Sequence, residues 1–241
     1  MCKISCISII ILYISLDYAH QYEIADVEKP DYHLDYVMLT QNWPVTVCKV
    51  WDDLNPSRQC TFPDKKDRWT LHGIWPLKGK EVAPSFCNET WVFDPEEIKS
   101  IEGDLEQTWT NVYKETNTYE LWDHEWSKHG TCLAVLKPLN SRLKYFNKGI
   151  ELNQKYSISD MLSAANIFPS DTRELTAEEL GNAVKAKTGK LPTALCVLHK
   201  GVQYIQELII CFDKKLQNII DCDTVIENCD LTKAIIYPVH V

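Results

Sequence analysis

The sequence lacks the short motifs that mark several common kinds of enzyme and metal site. No two cysteines have the CxxC spacing of a structural zinc site, and neither HExxH nor GxSxG occurs. Internal repeats, low-complexity stretches and Gly/Ser-rich linkers are also missing. These absences argue against a zincin and against a serine hydrolase with a nucleophile elbow, and they favour one domain over several.

Positive charge is also scarce. The chain has 241 residues, with 25 Lys and Arg against 34 Asp and Glu, which gives a formal net charge of −9. This balance argues against long-range electrostatic capture of nucleic acid, although it leaves room for a local basic pocket. Ten acids and two lysines lie between positions 94 and 125, and we interpret that stretch as a solvated acidic surface.

Long apolar runs are confined to the N-terminus. Residues Ile4 to Leu16 form a short apolar region behind Lys3, which predicts a secretory signal peptide over residues 1–19. A transmembrane helix needs about 20 apolar residues, so we expect no stable membrane association. The prediction is a single domain over residues 20–241. It is expected to be secreted or, alternatively, delivered to a lysosome or another endomembrane compartment.

Eight cysteines remain after residue 19. An even number is typical of disulfide bonds in an oxidising compartment, but spacing alone does not choose among the many possible pairings. The sequon Asn88-Glu89-Thr90 makes Asn88 a candidate glycosylation site, as is usual for secreted chains.

The hydrophobic pattern predicts strands towards both ends of the chain and helices between them. The predicted strands are Tyr32–Trp43, Arg68–Trp75 (closed by Pro76), Leu191–Leu198 and Val202–Phe212. The last two flank His199-Lys200-Gly201, a link short enough for an antiparallel hairpin.

Helices are predicted within 96–113 and at Glu120–Gly130, Leu139–Leu152, Ser159–Ile167 and Thr176–Gly189. In the last of these, Thr176 and Glu179 form a capping box and Gly189 ends the helix; Gly130 is also expected to end its helix. This order favours an α+β fold over alternating βαβ units.

The stretch HEWSKHGTC, His124 to Cys132, concentrates ionisable side chains in nine residues. On an α-helix, His124 and His129 would point about 140° away from each other, so metal binding by this segment alone is not expected. Cys132 belongs to an even set of cysteines, and we predict a disulfide rather than a nucleophile. Acid–base chemistry is left, because histidines accept and donate protons near neutral pH.

An acid–base pair needs a second histidine from elsewhere, and the strand WTLHGIWP offers His72. Gly73 beside it permits close approach, and Trp75 can stack on a flat ligand. The alternative for a lone strand histidine is a satisfied core residue. Within the cluster, Lys128 could hold an anionic group and Glu125 could orient His129 or stabilise its charge.

Two segments resemble the active-site segments of the ribonuclease T2 family, the acid, transferase-type ribonucleases. They are WTLHGIWP (Trp69–Pro76) and LWDHEWSKHGTC (Leu121–Cys132), in this order and about 50 residues apart. The stretch QNWP from Gln41 to Pro44, followed by Cys48, is similar to the family's N-terminal Q-W-P…C strand, with Asn42 inserted. The later cysteines follow the family's layout, so the resemblance covers most of the chain after the signal peptide.

The resemblance implies an α+β fold with a central antiparallel sheet flanked by helices. It also implies four disulfides, Cys48–Cys60, Cys87–Cys132, Cys196–Cys229 and Cys211–Cys222. On the chain-entropy model each would stabilise the fold by roughly 2–4 kcal/mol.

The function implied by the resemblance is a secreted endoribonuclease that cleaves single-stranded RNA through a 2′,3′-cyclic phosphate and leaves 3′-phosphate ends. His129 matches the base that takes the proton of the ribose 2′-OH, and His72 matches the acid that protonates the leaving 5′-oxygen. His124, Glu125 and Lys128 match positions that bind phosphate or stabilise its transition state. The role of Glu125 is the hardest to explain: it would hold His129 or Lys128 in place, or act protonated.

Base recognition is expected by stacking in single-stranded RNA. Trp75 matches a base-stacking position, and Gln41 and Trp122 lie where the family places a second base site; a core role is the alternative for Trp122. Because the 2′-OH is the nucleophile, DNA is not an expected substrate, and no metal or cofactor is expected. If histidines must be charged to bind phosphate, activity peaks on the acid side.

Two other classes of function stay open at this point. One is a secreted effector, toxin or binding glycoprotein on the same scaffold, with an unknown host or cell-surface receptor, although the presence of both His72 and His129 favours an active enzyme. The other is a metallohydrolase, which EDTA would inactivate. We expect a monomer.

Overall fold

The computed structural model describes residues 33–54, 59–222 and 228–240, and the predicted signal peptide over residues 1–19 lies outside these ranges. The strands of the described residues form one sheet. In chain order they are β1 (Tyr36–Asn42), β2 (Thr70–Leu77), β3 (Ser170–Leu175), β4 (Thr193–His199), β5 (Val202–Asp213), β6 (Ile219–Ile220) and β7 (Ile235–Tyr237).

The sheet has the strand order β2-β1-β5-β7-β3, and β4 and β6 also pair with β5. Among the described strands every pairing is antiparallel except that of β5 with β7. The predicted central antiparallel sheet is therefore confirmed, with one parallel contact in addition. Strands β3, β6 and β7 are too short or too polar to show the pattern by which the longer strands were predicted.

The central strands are buried on both faces. Successive side chains of a strand point to opposite sides, and on β1 Val37 and Leu39 enter the main core while Met38 enters a second, smaller cluster. On β5, Leu208 and Ile209 divide in the same way. Polar side chains in these two strands are therefore surrounded by apolar ones and need specific partners.

Strand β2 extends through Pro76, where the sequence analysis expected it to end. Pro76 pairs with Val37 and Leu77 with Tyr36, so the predicted end is wrong by two residues. Pro76 fits within β2 because β2 is at the edge of the sheet, and an edge strand tolerates a residue that has no N–H to donate.

The predicted hairpin between β4 and β5 is confirmed. His199 pairs with Val202, which leaves a loop of two residues. Lys200 and Gly201 both have positive φ, 50° and 82°, as the turn that fits the twist of antiparallel strands requires.

Helices cover the sheet. They are α1 (Pro44–Leu54), α2 (Glu102–Thr108), α3 (Thr118–Glu125), α4 (Thr131–Leu133), α5 (Arg142–Lys155), α6 (Ile158–Ala164) and α7 (Ala177–Thr188). Two 3₁₀ segments, Pro95–Ile101 and Lys137–Leu139, and one π-helical segment, Trp126–Gly130, complete the set in the described residues. The capping box of Thr176 and Glu179 and the left-handed Gly189 are confirmed, and so is the α+β class.

The prediction that Gly130 ends its helix is wrong. Gly130 has helical φ and ψ of −59° and −42°, and the chain continues into α4. A glycine stands there for a different reason, because a Cβ at this position would lie 2.4 Å from the ring of Trp126. Helix α1 was not predicted, although Pro44 at its first position is a typical helix start.

The four disulfides that the family resemblance implied are all present. They are Cys48–Cys60, Cys87–Cys132, Cys196–Cys229 and Cys211–Cys222. Cys132 is thus a structural cysteine, as predicted, and the set indicates folding in an oxidising compartment. None of the helices in the described part of the chain has the length and apolar character needed to cross a membrane.

Two glycines inside helices test how tightly the core is packed. In α5, a Cβ on Gly149 would lie 2.4 Å from the ring of Trp109, whereas in α7 a Cβ on Gly181 would meet only Leu191 at 3.9 Å. We expect Gly149→Ala to lower the free energy of unfolding by roughly 1–3 kcal/mol through overpacking. Gly181→Ala should raise it by about 0.5–1 kcal/mol through helix propensity. Guanidinium denaturation with disulfides intact measures both, and equal effects of the two substitutions would contradict the packing.

Candidate active site

His72 lies at a β-bulge in β2. Thr40 of β1 pairs with Gly73 and Gln41 pairs with Leu71, so His72 is an extra residue with no partner on β1. A bulge re-aims the side chain of its extra residue and is common beside active sites. The carbonyl of His72 accepts a hydrogen bond from Trp109 Nε1 at 2.7 Å, which fixes the bulged backbone. The side chain of His72 is 34% exposed and therefore reachable by a ligand.

Two carboxylates flank the His72 ring. Its Nδ1 lies 2.7 Å from Oε1 of Glu207, and its Nε2 lies 3.8 Å from Oε1 of Glu125. Burial alone would lower the pKa of His72, but the charge and hydrogen bond of Glu207, with the charge of Glu125, raise it to about 9. His72 is therefore an imidazolium at neutral pH.

Glu207 is a residue of the site that the sequence analysis missed. It lies in the apolar stretch YIQELIICF of β5 and is 4% exposed. The available indication was an acid in the middle of a buried strand, because such a group is rarely buried without a partner.

The second segment does not form a regular α-helix. Residues Trp126–Gly130 make a π turn, in which the N–H of Thr131 donates to the carbonyl of Trp126 five positions earlier. The predicted divergence of His124 and His129 is therefore wrong, since a turn that closes at i+5 returns them to the same side. Their ring centroids are 6.3 Å apart.

His129 is 2% exposed, and no hydrogen-bond partner of its Nδ1 exists among the described residues. Burial lowers the pKa of His129 to about 2, and the charges of Lys128, His124 and His72 act in the same direction. His129 is thus a neutral imidazole over the whole physiological range. The two predicted catalytic histidines differ in charge because one has carboxylate partners and the other has cationic neighbours.

Trp75 contacts both histidines. Its ring centroid is 4.8 Å from that of His72 and 5.3 Å from that of His129, and its Nε1 donates to Oε2 of Glu125 at 2.7 Å. Gly73 makes this arrangement possible, because a Cβ there would lie 2.1 Å from both Glu125 Oε2 and Trp75 Nε1. The expectation that Gly73 permits close approach is confirmed, although the approaching groups belong to the protein itself.

Glu125 is fully buried at the centre of the site. Its Oε1 has no hydrogen-bond partner in the described part of the chain. Burial raises the pKa of Glu125 to about 7, against the opposing effects of the His72 charge and the Trp75 hydrogen bond. Below neutral pH Glu125 is a carboxylic acid that can donate a hydrogen bond.

Lys128 and His124 form the open side of the site. Lys128 is half-buried and makes no ion pair with any described residue. His124 is exposed, and its pKa is lowered by partial burial and then by the charges of Lys128 and His72. Lys128 therefore supplies the fixed positive charge on this side of the site.

Gln41, Trp122 and Trp75 were expected to contact a base, but the structure leaves little of their side chains accessible. Gln41 is fully buried, with its amide nitrogen donating to the Tyr156 carbonyl and its oxygen accepting from the Ile158 N–H. Trp122 is fully buried and donates to the Trp109 carbonyl, a placement typical of the core alternative. Trp75 is 9% exposed and packs against both histidines, which leaves little ring surface for a base.

His124, Glu125 and His129 each offer a metal-ligand atom, and the three atoms lie within 4.8 Å of one another. Donors in a tetrahedral zinc site are about 3.4 Å apart, from metal–ligand distances of about 2.1 Å, and these three residues would leave the fourth position of such a site open. The cationic Lys128 and His72 beside them oppose a divalent ion.

Outside the site, Asn88 of the sequon is exposed, with its side-chain oxygen accepting from Thr90.

An imidazolium and a neutral imidazole against one indole, beside a buried carboxyl and a lysine, form a site suited to acid–base chemistry on an α+β fold. The chain belongs to the ribonuclease T2 family, whose model matches residues 34–222. It is therefore an endoribonuclease.

Relatives and solved structures agree with this assignment. The chain is 35% identical to ribonuclease Oy of Magallana gigas over 78% of this chain and 87% of that one. It is 32% identical to human ribonuclease T2 over 77% of this chain and 69% of that one. Among solved structures, RNase NT in complex with 5′-AMP is similar with a TM-score of 0.73 and 25% identity, over 85% of this chain and 98% of that one. Human RNase T2 has a TM-score of 0.70 and 29% identity, over the same shares.

The opposite protonation of the two histidines is directly measurable. In a histidine-detected NMR titration between about pH 4 and 10, we expect His72 to titrate near pH 9 and His129 to stay neutral throughout. The reason is that carboxylates stabilise the cation of His72 while burial destabilises that of His129. His72→Phe and His129→Phe assign the two resonances, and a His129 that titrates with an ordinary pKa would contradict its burial.

Proposed function

We propose that this endoribonuclease cleaves single-stranded RNA by transphosphorylation through a 2′,3′-cyclic phosphate to 3′-phosphate ends, without a metal ion. The observation that carries the proposal is that a charged His72 and a neutral His129 both lie against Trp75. A neutral imidazole is ready to accept a proton and an imidazolium is ready to give one, so each step of the reaction has its catalyst in the required state.

In the first step, neutral His129 takes the proton of the ribose 2′-OH while the 2′-oxygen attacks phosphorus. The bond from phosphorus to the 5′-oxygen breaks, and Nε2 of His72 gives its proton to that oxygen. In the second step a water loses its proton to His72 and attacks the cyclic phosphate, and His129 returns its proton to the 2′-oxygen. The histidines end in their initial states.

Negative charge grows on the phosphoryl oxygens during both steps. Lys128 supplies a fixed positive charge, and His124 adds one when it is protonated. Glu125, as a buried acid with a pKa of about 7, supplies a hydrogen-bond donor below neutral pH. Groups fixed in advance around developing charge lower the barrier without reorganisation. This assigns Glu125 the protonated role that the sequence analysis left open.

The 2′-OH requirement makes RNA the substrate and excludes DNA. Relatives support a nucleotide ligand, since RNase NT was solved with 5′-AMP and a variant of RNase MC1 with 5′-UMP. The four disulfides and the exposed Asn88 sequon support passage through the secretory pathway, with secretion as the proposed destination.

Replacement of either histidine should abolish cleavage of RNA. We expect His72→Phe and His129→Phe to lower the rate roughly 10²–10⁴-fold each, because each removes one proton-transfer group. The measurement is cleavage of single-stranded RNA in EDTA, with 2′,3′-cyclic phosphate ends identified by mass spectrometry. His199→Phe, at the end of β4, is the matched control and should keep full activity.

Three results would contradict this mechanism: cleavage of the equivalent DNA, undiminished cleavage by either variant, or loss of activity in EDTA. The last would favour a metallohydrolase using His124, Glu125 and His129.

Below pH 9, kcat/KM should depend on the protonation state of the Glu125 carboxyl. Because the pKa of Glu125 is about 7, its carboxyl loses a proton as pH rises through 7 and then repels phosphate, so kcat/KM should fall there. A second fall should follow near pH 9, where His72 loses its proton. Higher activity at acid pH is thus expected because Glu125 is protonated there, and not because His129 becomes charged.

Glu125→Gln should remove the fall near pH 7 and keep the fall at higher pH, because the amide is neutral throughout and still accepts from Trp75. If kcat/KM of Glu125→Gln still falls both near pH 7 and near pH 9, the role assigned to Glu125 is wrong.

A further inference from the structure

Glu207 is a buried acid that the reaction steps do not use. It is 4% exposed, it lies in the most central strand, and its Oε1 is 2.7 Å from Nδ1 of His72. A buried carboxylate is costly unless it has a charged or hydrogen-bonded partner, and His72 is that partner.

The contact crosses an intervening strand. Glu207 belongs to β5 and His72 to β2, and β1 lies between them, with Asn42 paired to both Glu207 and Thr70. Backbones two strands apart are roughly 9–10 Å from each other. The two side chains meet because His72 is the extra residue of the β-bulge and is aimed back across β1.

The hydrogen bond determines which nitrogen of His72 faces the substrate. An ionised carboxylate only accepts hydrogen bonds, so the Nδ1–H must donate to Glu207. Nε2 is then left on the opposite side of the ring, towards Glu125 and the open part of the site. A histidine held at one nitrogen by a carboxylate presents the other in a fixed direction.

We propose that Glu207 is a positioning residue for the acid step, which holds the His72 ring so that Nε2 delivers its proton to the leaving 5′-oxygen. This rests on the proposed function. During the step the Nε2–H bond breaks and an O5′–H bond forms as the bond from phosphorus to the 5′-oxygen breaks. Glu207 keeps its charge throughout and takes no proton.

The titratable groups around His72 come from several elements. Glu207 faces it from β5 and Glu125 from α3, while Lys128 opposes its charge from the π turn. His124 and His129 are affected by the charge of His72. Outside this set, Tyr113 has a raised pKa, through burial and then the negative charge of Glu207.

The test compares two substrates that differ in their need for an acid. RNA has a poor leaving group, the 5′-oxygen of a nucleoside, whereas a nucleoside 3′-(4-nitrophenyl phosphate) has a leaving group that departs without protonation.

Glu207→Gln keeps the shape and an acceptor for Nδ1–H but removes the charge. We expect Glu207→Ala, which removes the acceptor, to lower kcat on RNA roughly 10–100-fold, with KM within about twofold, the scale of losing an orienting partner. Glu207→Gln, which keeps the hydrogen bond, should lose less. On the aryl substrate the loss should be less than about threefold, and the high-pH fall should move to lower pH because His72 loses its carboxylate partner.

Gln203→Ala is the matched control for a structural role. Gln203 is on the same strand, is 6% exposed, and is bound through its side chain to the backbone of Asp230. We expect a lower Tm with an unchanged pH profile and no difference between the substrates. Long-range ¹H–¹⁵N spectra of His72 give a reading independent of rate, since the Nδ1–H signal should weaken in Glu207→Ala and persist in Glu207→Gln.

Each failure has a separate signature. Equal losses on both substrates in Glu207→Ala, or no change in rate and pH profile in that variant, would overturn the role of Glu207. If His72→Phe reduces kcat by the same factor on RNA and on the aryl substrate, relative to the unsubstituted enzyme, the acid step is wrong. The proposed mechanism is then wrong as well. His129→Phe should be inactive on both substrates.

Discussion

The hydrogen bond from Trp75 to Glu125 joins the two halves of the catalytic centre. It connects the edge strand of the sheet to the helix that carries the second active-site segment, across about 50 residues of sequence. The bond is possible only because Gly73 has no side chain at that point. It also places the Glu125 carboxyl in a fully buried position beside His72. There its charge adds to the larger effect of Glu207, and both keep the proton on His72.

Burial acts in opposite directions on the two histidines because their partners differ. His72 is next to two carboxylates and keeps its proton, while His129 has cationic neighbours and loses it. Neither state follows from the intrinsic chemistry of imidazole, which is half protonated near pH 6.5. In the proposed mechanism, the charges that surround each histidine thus make an acid and a base from one residue type.

Local patterns explain what could be predicted from the sequence. The capping box at Thr176, the two-residue hairpin at Lys200 and Gly201, and the long apolar strands depend on neighbours in the chain and were predicted correctly. The active-site segments were found because they are contiguous. The bulge at His72, the contact with Glu207 and the burial of Gln41 depend on segments that are distant in the sequence, and no local pattern reveals them. The π turn was missed because a regular helix was assumed.

The π turn inserts one residue into a helix that otherwise follows the usual period. Relative to a regular α-helix, everything after it is rotated by about 100° and displaced by about 1.5 Å. Cys132 comes two residues after the turn and is bonded to Cys87. If the turn relaxed into a regular helix, the cysteine would move away from its partner, so the disulfide holds the helix in this phase. A compartment that keeps the disulfide oxidised therefore also keeps the two histidines of the segment on one side.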